Sequence, residues 1–528
     1  MTTQVGVSVV VITYNDAVHL PNAIESALAQ GDVVSEIVVV DDASTDDTPR
    51  VLGRWGRDRV RVVRRTTNSG GCGAPRNDGT AFAQSPWIFY LDSDDVLPPG
   101  AIDALYAAAT DDVDFVAGLC VRRELPEGRE TPWQPQLFER PGLHTTAERP
   151  RTLWDTLSVN KLYRRSFLVD RGIQFPSDAA HYEDFTFTAE VYAQAFRFAV
   201  IDTPVYTWNV RRQGNPSISL RRDRLRNWHD RLAAHANVLD IMRKTGDPHL
   251  VDAAERKFLE HDLRLYLRDL PARDVEYQRG WWEATRAHLA DFTDRAIADV
   301  DPAAEWAAAV IRHREAPTDL GRLAELAIDP PRLVPPYAGS PAAPVWDGRH
   351  PAVPLVALPT LPLTRLPLDI EAEVTVAGPR ISLALRLADL YGRVPSSRVA
   401  AIDIELRDRM GHITRERPTT LTGTAADGAI AAHAILTGAA LRGTDAFSTW
   451  DIWARVTFTD GARSAVRVRA AGGAGLGRHL VPDLRRGVLL VQPYRTASHS
   501  LAVRVADGPG GAAAVASARI RRKRRSRA

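Results

Sequence analysis

Short apolar runs alternate with helix-like segments over the first hundred residues of the chain. Residues 7–13 form one such run, residues 37–40 a second, and residues 87–91 a third that leads into a row of aspartates. Runs that are apolar at every position are typical of strands buried on both faces of a parallel sheet. With helical spacing between the runs, the pattern predicts βαβ units and a Rossmann-like α/β domain with a mostly parallel sheet.

The pattern changes twice further along the chain. From about residue 225 the apolar positions recur at helical intervals, and from residue 370 short apolar runs separated by turn residues predict an antiparallel β-sandwich. Eleven prolines within residues 330–367 indicate an extended linker. The predicted organisation is an α/β domain at 1–224, a helical domain at 225–329, a Pro-rich linker at 330–367, a β-sandwich at 368–507 and a flexible basic tail at 508–528.

The amino-acid composition indicates what class of protein this is and in which cellular compartment it is expected. The chain has 528 residues, of which 45% are hydrophobic and 25% charged, values typical of a globular protein with several domains. Only Cys72 and Cys120 are present, which argues against a disulfide scaffold and suits a reducing cytoplasm. Without a secretory leader pattern or a run of 18 apolar residues, we expect a cytoplasmic protein with no membrane span.

Seven basic residues crowd into residues 519–528 and set the tail apart electrostatically. Such a cluster favours binding to the anionic inner face of the plasma membrane, where each basic residue contributes about 1 kcal/mol. An anionic polymer is a second ligand for this tail, and an ordinary solvated terminus is the third interpretation. Nucleic acid is not expected as a partner, since no recognition motif accompanies the charge.

The aspartates after the third apolar run are the first candidate for chemistry. Asp92 and Asp94 are separated by one residue at the end of a predicted strand, where open α/β sheets bind their ligands. Carboxylates and phosphate oxygens are the ligands that Mg²⁺ and similar hard cations prefer. We therefore expect Asp92 and Asp94 to hold a divalent cation, Mn²⁺ or Mg²⁺, although an isolated pair of this kind is more often part of a turn.

Four motifs within one hundred residues carry a more specific signal. Residues 9–15, 37–46, 74–79 and 89–95 resemble, in this order, the motifs of family 2 glycosyltransferases with the GT-A fold. The resemblance implies an enzyme that takes a sugar from a nucleotide-sugar donor, usually a UDP-sugar. It also implies a metal-binding role for Asp94, a ribose or metal contact for Asp92, and donor-binding roles for Thr13, Tyr14, Asn15, Asp42 and Arg76. By this resemblance Thr13, Tyr14 and Asp42 match positions that hold the nucleoside base, and Arg76 matches a residue near the donor diphosphate.

A later segment, residues 159–185, resembles the acceptor half of the same family. By this resemblance Asp184 is the catalytic base, and Glu183 supports it or contacts the acceptor. The competing interpretation places both acids in the first turn of a helix at 185–195, where they would complement its dipole. For Lys161 the sequence is compatible with both a side chain that faces the site and one that faces solvent. Arg211 and Arg212 fall where the family has a mobile loop over the diphosphate, so either one is a candidate for neutralising the leaving group, and an ordinary surface charge is the equal alternative for each.

The C-terminal module resembles, more weakly, β-sandwiches attached to bacterial transferases of cell-surface polymers, including teichoic acids. Trp453 and Tyr494 are candidates for sugar stacking, whereas Trp450 is expected in the core. Self-association into a homo-oligomer is an equally open role for this module.

The sequence as a whole predicts an inverting, metal-dependent glycosyltransferase of cell-wall polysaccharide or teichoic-acid synthesis. The acceptor is expected to be a surface glycan or polyol-phosphate polymer, including lipid-linked forms. A non-catalytic carbohydrate-binding or scaffold protein with a degenerate transferase domain is the main alternative. A nucleotidyltransferase ranks third, because the expected Gly-rich basic loop is missing after the first strand.

Overall fold

The computed structural model of the chain describes residues 6–55, 59–126, 128–177, 181–211, 222–409, 414–443, 447–471, 475–483, 485 and 487–507. The chain forms two compact units. The first consists of residues 1–259 with 283–299, and the second of residues 260–282 with 300–528. Arg212 and the basic tail at 519–528 lie outside the described residues, so the predictions made for them stay predictions.

A single nine-stranded mixed sheet forms the centre of the first unit. Its order is β3-β2-β1-β4-β8-β5-β9-β7, with β6 paired to β5. The strands are β1 Val7–Thr13, β2 Val34–Asp41, β3 Val60–Arg64, β4 Trp87–Asp92, β5 Phe115–Leu125, β6 Arg129–Pro132, β7 Gly142–His144, β8 Lys161–Arg164 and β9 Phe198–Arg211.

The parallel part of this sheet creates the edge at which the polar clusters meet. All seven residues of β1 are buried, and β1 pairs in parallel with both β2 and β4. In this register Thr13 lies opposite Asp41, and Ile12 lies opposite Asp92. The carboxyl ends of three neighbouring strands therefore converge, as the predicted α/β fold requires.

Helices cover the sheet and supply the remaining site residues. They are α1 Leu20–Leu28, α2 Thr48–Leu52, α3 Gly73–Phe82, α4 Ala101–Ala107, α5 Arg165–Asp170 and α6 Glu183–Gln194. Gly79 lets α3 lie against β1, because a β-carbon there would overlap with the side chain of Val10. This close packing fixes the height of Arg76 above the sheet, one turn earlier on α3.

The predicted helical segment is present, with helices distributed over both units. They are α7 Leu225–Lys244, α8 Pro248–Lys257, α9 Arg264–Leu267, α10 Val275–Leu289, α11 Asp294–Ala298, α12 Pro302–His313 and α13 Leu320–Leu326, with a π-helical stretch at Phe258–Leu263. Trp228, Trp281, Trp282 and Trp306 are fully buried, so the apolar stripes of this region are core. Among the residues that the structure describes, no helix is long and apolar enough to span a bilayer.

The second unit contains the predicted antiparallel strands. A five-stranded sheet has the order β16-β17-β13-β12-β20, and a seven-stranded one has the order β15-β14-β18-β23-β22-β21 with β19 beside β18. The strands are β12 Ile370–Ala377, β13 Arg380–Leu387, β14 Val399–Asp408, β15 Thr414–Pro418, β16 Thr420–Thr424, β17 Ile430–Thr437, β18 Phe447–Phe458, β19 Arg463–Arg467, β20 Arg469–Ala470, β21 His479–Asp483, β22 Gly487–Arg495 and β23 Leu501–Asp507, with a short helix α14 at Gly438–Leu441. Alternate residues of β12 and β18 are buried, which confirms the strand period read from the sequence.

Two details bear on the predictions for this half of the chain. Trp450 is fully buried, as expected, whereas Trp453 lies on the other face of β18 with guanidinium groups of Arg407 and Arg467 over its ring. Residues 330–367 carry the small hairpin β10 Ala338–Ser340 and β11 Ala343–Val345, and they bury apolar side chains, including Trp346. The domain boundaries given above stay predictions.

Candidate active site

A single buried arginine stands at the centre of the polar cluster at the sheet edge. Arg76 projects from α3 and is 2% exposed. Its Nη2 donates to Asp92 Oδ1 at 2.8 Å, and its Nη1 donates to Asp184 Oδ1 at 2.8 Å and to Glu183 Oε1 at 3.2 Å. Burial alone would lower the pKa of Arg76, but the surrounding carboxylates hold it well above its usual value, so the cation is retained.

Glu183 and Asp184 begin helix α6 and do not precede it, which corrects the expected helix start at residue 185. Tyr182 ends the preceding loop in a left-handed conformation, with φ of 71°, and this turn directs the two acids toward Arg76. Burial and the neighbouring Asp184 raise the pKa of Glu183 to about 7. Burial also raises the pKa of Asp184, while Arg76 acts against this rise.

Ser158 is a site residue that the sequence did not reveal. Its hydroxyl donates to Asp184 Oδ1 at 2.8 Å, on the same oxygen that accepts from Arg76. Lys161, which the sequence left open, is fully buried and pairs with Asp155 at 2.8 Å. Lys161 therefore belongs to the core beneath Asp184 and does not line the crevice.

Asp94 lies in a second charged group, beside the first. Its Oδ2 accepts from Arg211 Nη2 at 2.6 Å, and Arg211 Nη1 lies 2.9 Å from Nδ1 of His19. His19 in turn contacts Asp16 at 2.5 Å, and Asp16 accepts from the Ser93 hydroxyl at 2.8 Å. Burial and the charge of Asp92 raise the pKa of Asp94 to about 6, although Arg211 acts in the opposite direction.

Asp95 joins the aspartate turn to strand β9. Its buried carboxylate accepts from the Tyr206 hydroxyl and from the backbone N–H of Asn209, both at 2.7 Å. The Asn209 amide donates to the carbonyl oxygen of Asp94 at 2.9 Å. These bonds fix the turn to the strand that ends at Arg211. Tyr206 and Asn209 carried no motif signal, because they meet Asp95 only through the sheet.

The residues predicted for the nucleoside line the far end of the same edge. Thr13 is buried, and among the described residues its Oγ1 finds no hydrogen-bond partner, whereas Tyr14 is 48% exposed. The Asn15 side chain accepts from the backbone N–H of Thr45 at 2.8 Å and so shapes the loop after β2. Asp42 is already engaged: its carboxylate accepts from the Ser69 N–H and hydroxyl and from Asn68, and it pairs with Arg65 at 2.8 Å.

The carboxylates at this edge of the sheet suit a divalent cation whose remaining coordination positions are filled by oxygens of a bound ligand. Asp92 and Asp94 are both partly exposed, and the negative charges of Asp92 and Asp16 act together with burial to raise the pKa of Asp94. Within the described part of the chain, no group of three or more His, Cys, Asp or Glu side chains is arranged to hold a metal ion. A cation here would therefore take one or two carboxylates from the protein and further oxygens from a bound diphosphate, as Mg²⁺ commonly does.

Comparisons with known proteins place this geometry in a family context. Residues 8–172 match the family described as glycosyl transferase family 2. The poly(ribitol-phosphate) beta-N-acetylglucosaminyltransferase TarS of Staphylococcus aureus is 32% identical over 211 residues, which are 39% of this chain and 36% of TarS. The succinoglycan biosynthesis protein ExoO of Rhizobium meliloti is 34% identical over 229 residues, 42% of this chain and 64% of ExoO. The sequence alignment thus covers only about a third of the length of TarS.

Solved structures extend the similarity at the level of the fold. The crystal structure of S. aureus TarS has a TM-score of 0.56 at 20% identity, over 95% of this chain and 85% of that one. Residues 1–349 of TarS in complex with UDP-GlcNAc give a TM-score of 0.53 at 21% identity, over 66% of this chain and 98% of that one. The predicted GT-A architecture is confirmed by this likeness. Residues 8–172 of the chain therefore match glycosyl transferase family 2, and the chain has the GT-A fold.

Proposed function

We propose that this chain transfers a sugar from a UDP-sugar to a hydroxyl group of a polyol-phosphate polymer or related surface glycan, with inversion at the anomeric carbon. The observation that carries the proposal is the meeting of the Asp92–Asp94 turn and the Glu183–Asp184 pair around Arg76. Donor-side and acceptor-side carboxylates thus share one crevice, as a displacement at one carbon requires.

On the acceptor side, Asp184 is the proposed general base. Its Oδ1 is held by Ser158 and Arg76, while the second carboxylate oxygen makes no hydrogen bond in the described structure and is available to a hydroxyl. A base must be oriented within hydrogen-bond reach of the proton that it removes. Glu183 begins the same helix and adds negative charge beside Asp184, which favours proton acceptance by the pair.

On the donor side, Thr13, Tyr14, Asn15 and Asp42 form the proposed nucleoside end of the site, and Arg211 faces the diphosphate. Asp92 and Asp94 would hold Mn²⁺ or Mg²⁺ together with the diphosphate oxygens. When bound, such a cation stabilises the negative charge of the departing nucleoside diphosphate. Arg211 is 24% exposed, and among the described residues its guanidinium contacts Asp94 and His19, which places its positive charge beside the carboxylates proposed to hold the cation.

The choice of UDP and of a polymer acceptor rests on the similar proteins. TarS is named a poly(ribitol-phosphate) transferase and has been crystallised with UDP-GlcNAc. Its product is named as a beta-glycoside, which an inverting enzyme forms from an alpha-linked nucleotide sugar. ExoO is named for an exopolysaccharide, which keeps a surface glycan as the second acceptor class.

A donor panel tests the proposal directly. Purified full-length protein is incubated with individual nucleotide sugars and a ribitol-phosphate oligomer, with Mn²⁺, Mg²⁺ or EDTA, and nucleoside diphosphate release is measured. We expect metal-dependent release of UDP from one or two donors, and none from the Asp184→Asn variant. If the wild-type protein binds the oligomer but releases no nucleotide from any donor, the carbohydrate-binding alternative replaces the enzyme.

A further inference from the structure

Arg76 occupies a position that does not suit a ligand of donor phosphates. Its side chain is 2% exposed, and its terminal nitrogens already donate to Asp92, Asp184 and Glu183. The guanidinium carbon also lies 5.2 Å from the centre of the Phe175 ring. A phosphate would have to displace partly buried carboxylates to reach Arg76, which would leave their negative charge uncompensated.

The three carboxylates held by Arg76 come from different parts of the chain. Asp92 ends β4, whereas Glu183 and Asp184 begin α6, about ninety residues later. The two Nη atoms point in different directions, and each serves one side of the crevice. A planar guanidinium can bridge in this way, whereas the single ammonium of lysine has no fixed fork.

We propose that Arg76 is a positioning residue that couples the two halves of the site by holding the donor-side Asp92 and the acceptor-side Asp184 at a fixed separation. This inference rests on the proposed function and replaces the diphosphate contact that the family resemblance implies for Arg76. Arg211, which is more exposed and contacts Asp94, is then the arginine of the described site that meets the diphosphate.

This role of Arg76 predicts that its replacement affects turnover much more than nucleotide binding. If Arg76 holds carboxylates, its replacement should misplace Asp92 and Asp184, whereas Asp94 and Arg211, which pair with each other and not with Arg76, stay in place to bind the nucleotide. A misplacement of about 1 Å can cost about 100-fold in rate. If Arg76 instead binds phosphate, its replacement should weaken nucleotide binding in proportion to the loss of turnover.

Arg76→Lys is the variant that tests this, since it keeps the charge and removes the fork. We expect kcat to fall about 100-fold or more, with the donor KM and the Kd of UDP, measured by calorimetry with Mn²⁺, changing less than about threefold. Arg332→Lys is the matched control, because Arg332 is equally buried and paired with Glu325 at a place far along the chain. Its kcat should remain at the wild-type value.

Each other outcome has a distinct meaning. A rise of tenfold or more in the Kd of UDP, with or without a fall in kcat, would show that Arg76 binds the donor, and would overturn the inference. Wild-type values of kcat, KM and Kd in Arg76→Lys would overturn it as well. A wild-type protein that turns over no donor would contradict the proposed function, whereas an active wild type with an unaffected variant contradicts only the role of Arg76.

A second measurement serves if Arg76→Lys does not fold. Asp92→Asn, Asp184→Asn and the double variant are compared by the shift in melting temperature. Residues that share a partner are expected to be non-additive, whereas independent sites add. Coupling through Arg76 is supported if the change in melting temperature of the double variant differs from the sum of the changes in the two single variants. If the changes add, coupling is contradicted.

Discussion

Replacing Glu183 with glutamine should make the protein more stable at neutral pH and less active. Burial and the neighbouring Asp184 raise the pKa of Glu183 from 4.5 to about 7. At about 1.4 kcal/mol per pH unit, the ionised side chain costs at most about 3 kcal/mol of folding free energy. The pairing with Arg76 at 3.2 Å already acts within this net pKa, so we expect a gain of about 1–3 kcal/mol at pH 7.5.

The pH dependence of this gain in stability shows whether it comes from the ionisation of Glu183. The folded chain binds the Glu183 proton more tightly than the unfolded chain, so the wild type loses stability as the pH rises from about 4.5 to about 7. Glutamine does not ionise and does not contribute this loss. The difference between variant and wild type should therefore be close to zero near pH 4.5 and reach its full size above about pH 7.

Equilibrium urea denaturation of the full chain, followed by circular dichroism between about pH 4.5 and 8, measures this difference. Glu190→Gln is the matched control, since Glu190 lies on the same helix α6 and bonds to Gln194 away from the charged cluster. If Glu183→Gln is less stable than the wild type at every pH, or if its gain is independent of pH, the assignment of a burial cost to Glu183 is wrong.

Three further predictions follow from the same site. Asp184→Asn should lower kcat by about 10²–10⁴, the usual contribution of a general base, while calorimetry finds UDP binding unchanged; near-wild-type turnover would refute the base. Asp94→Ala should abolish the part of UDP binding that EDTA removes, and an undiminished response to Mn²⁺ would contradict its ligand role. Transfer by the wild type should fall toward acid pH, because burial raises the pKa of Asp184 and the base must be ionised, and because Glu183, whose pKa is raised to about 7, loses its charge beside the base; a flat profile from about pH 5 to 8 would contradict this.

Much of the architecture was predictable because its signals are local. The uniformly apolar runs at β1, β2 and β4 mark buried parallel strands, and the aspartates directly after β4 mark the ligand edge of the sheet. Period-2 alternation likewise marks β12 and β18 in the second unit. These patterns depend on neighbouring residues of one element, so the sequence displays them.

The parts that escaped the sequence depend on contacts between distant segments. Ser158 reaches Asp184 across 26 positions of chain, and Tyr206 reaches Asp95 across 111. The helix start at Glu183 depends on the left-handed conformation of Tyr182, which is uncommon for a tyrosine and carries no sequence signature. The role of Arg76 is of the same kind, since three separate carboxylates around one cation become visible only in the folded chain.

Mass spectrometry of the acceptor tests the central claim most directly. A defined ribitol-phosphate oligomer is incubated with purified protein, Mn²⁺ and UDP-GlcNAc or UDP-glucose, in parallel with Asp184→Asn. The account predicts that the wild-type protein adds the mass of one or more sugar residues to the oligomer and that the variant adds none. An oligomer of unchanged mass with every UDP-sugar would contradict the assignment of a UDP-sugar donor and a polyol-phosphate acceptor.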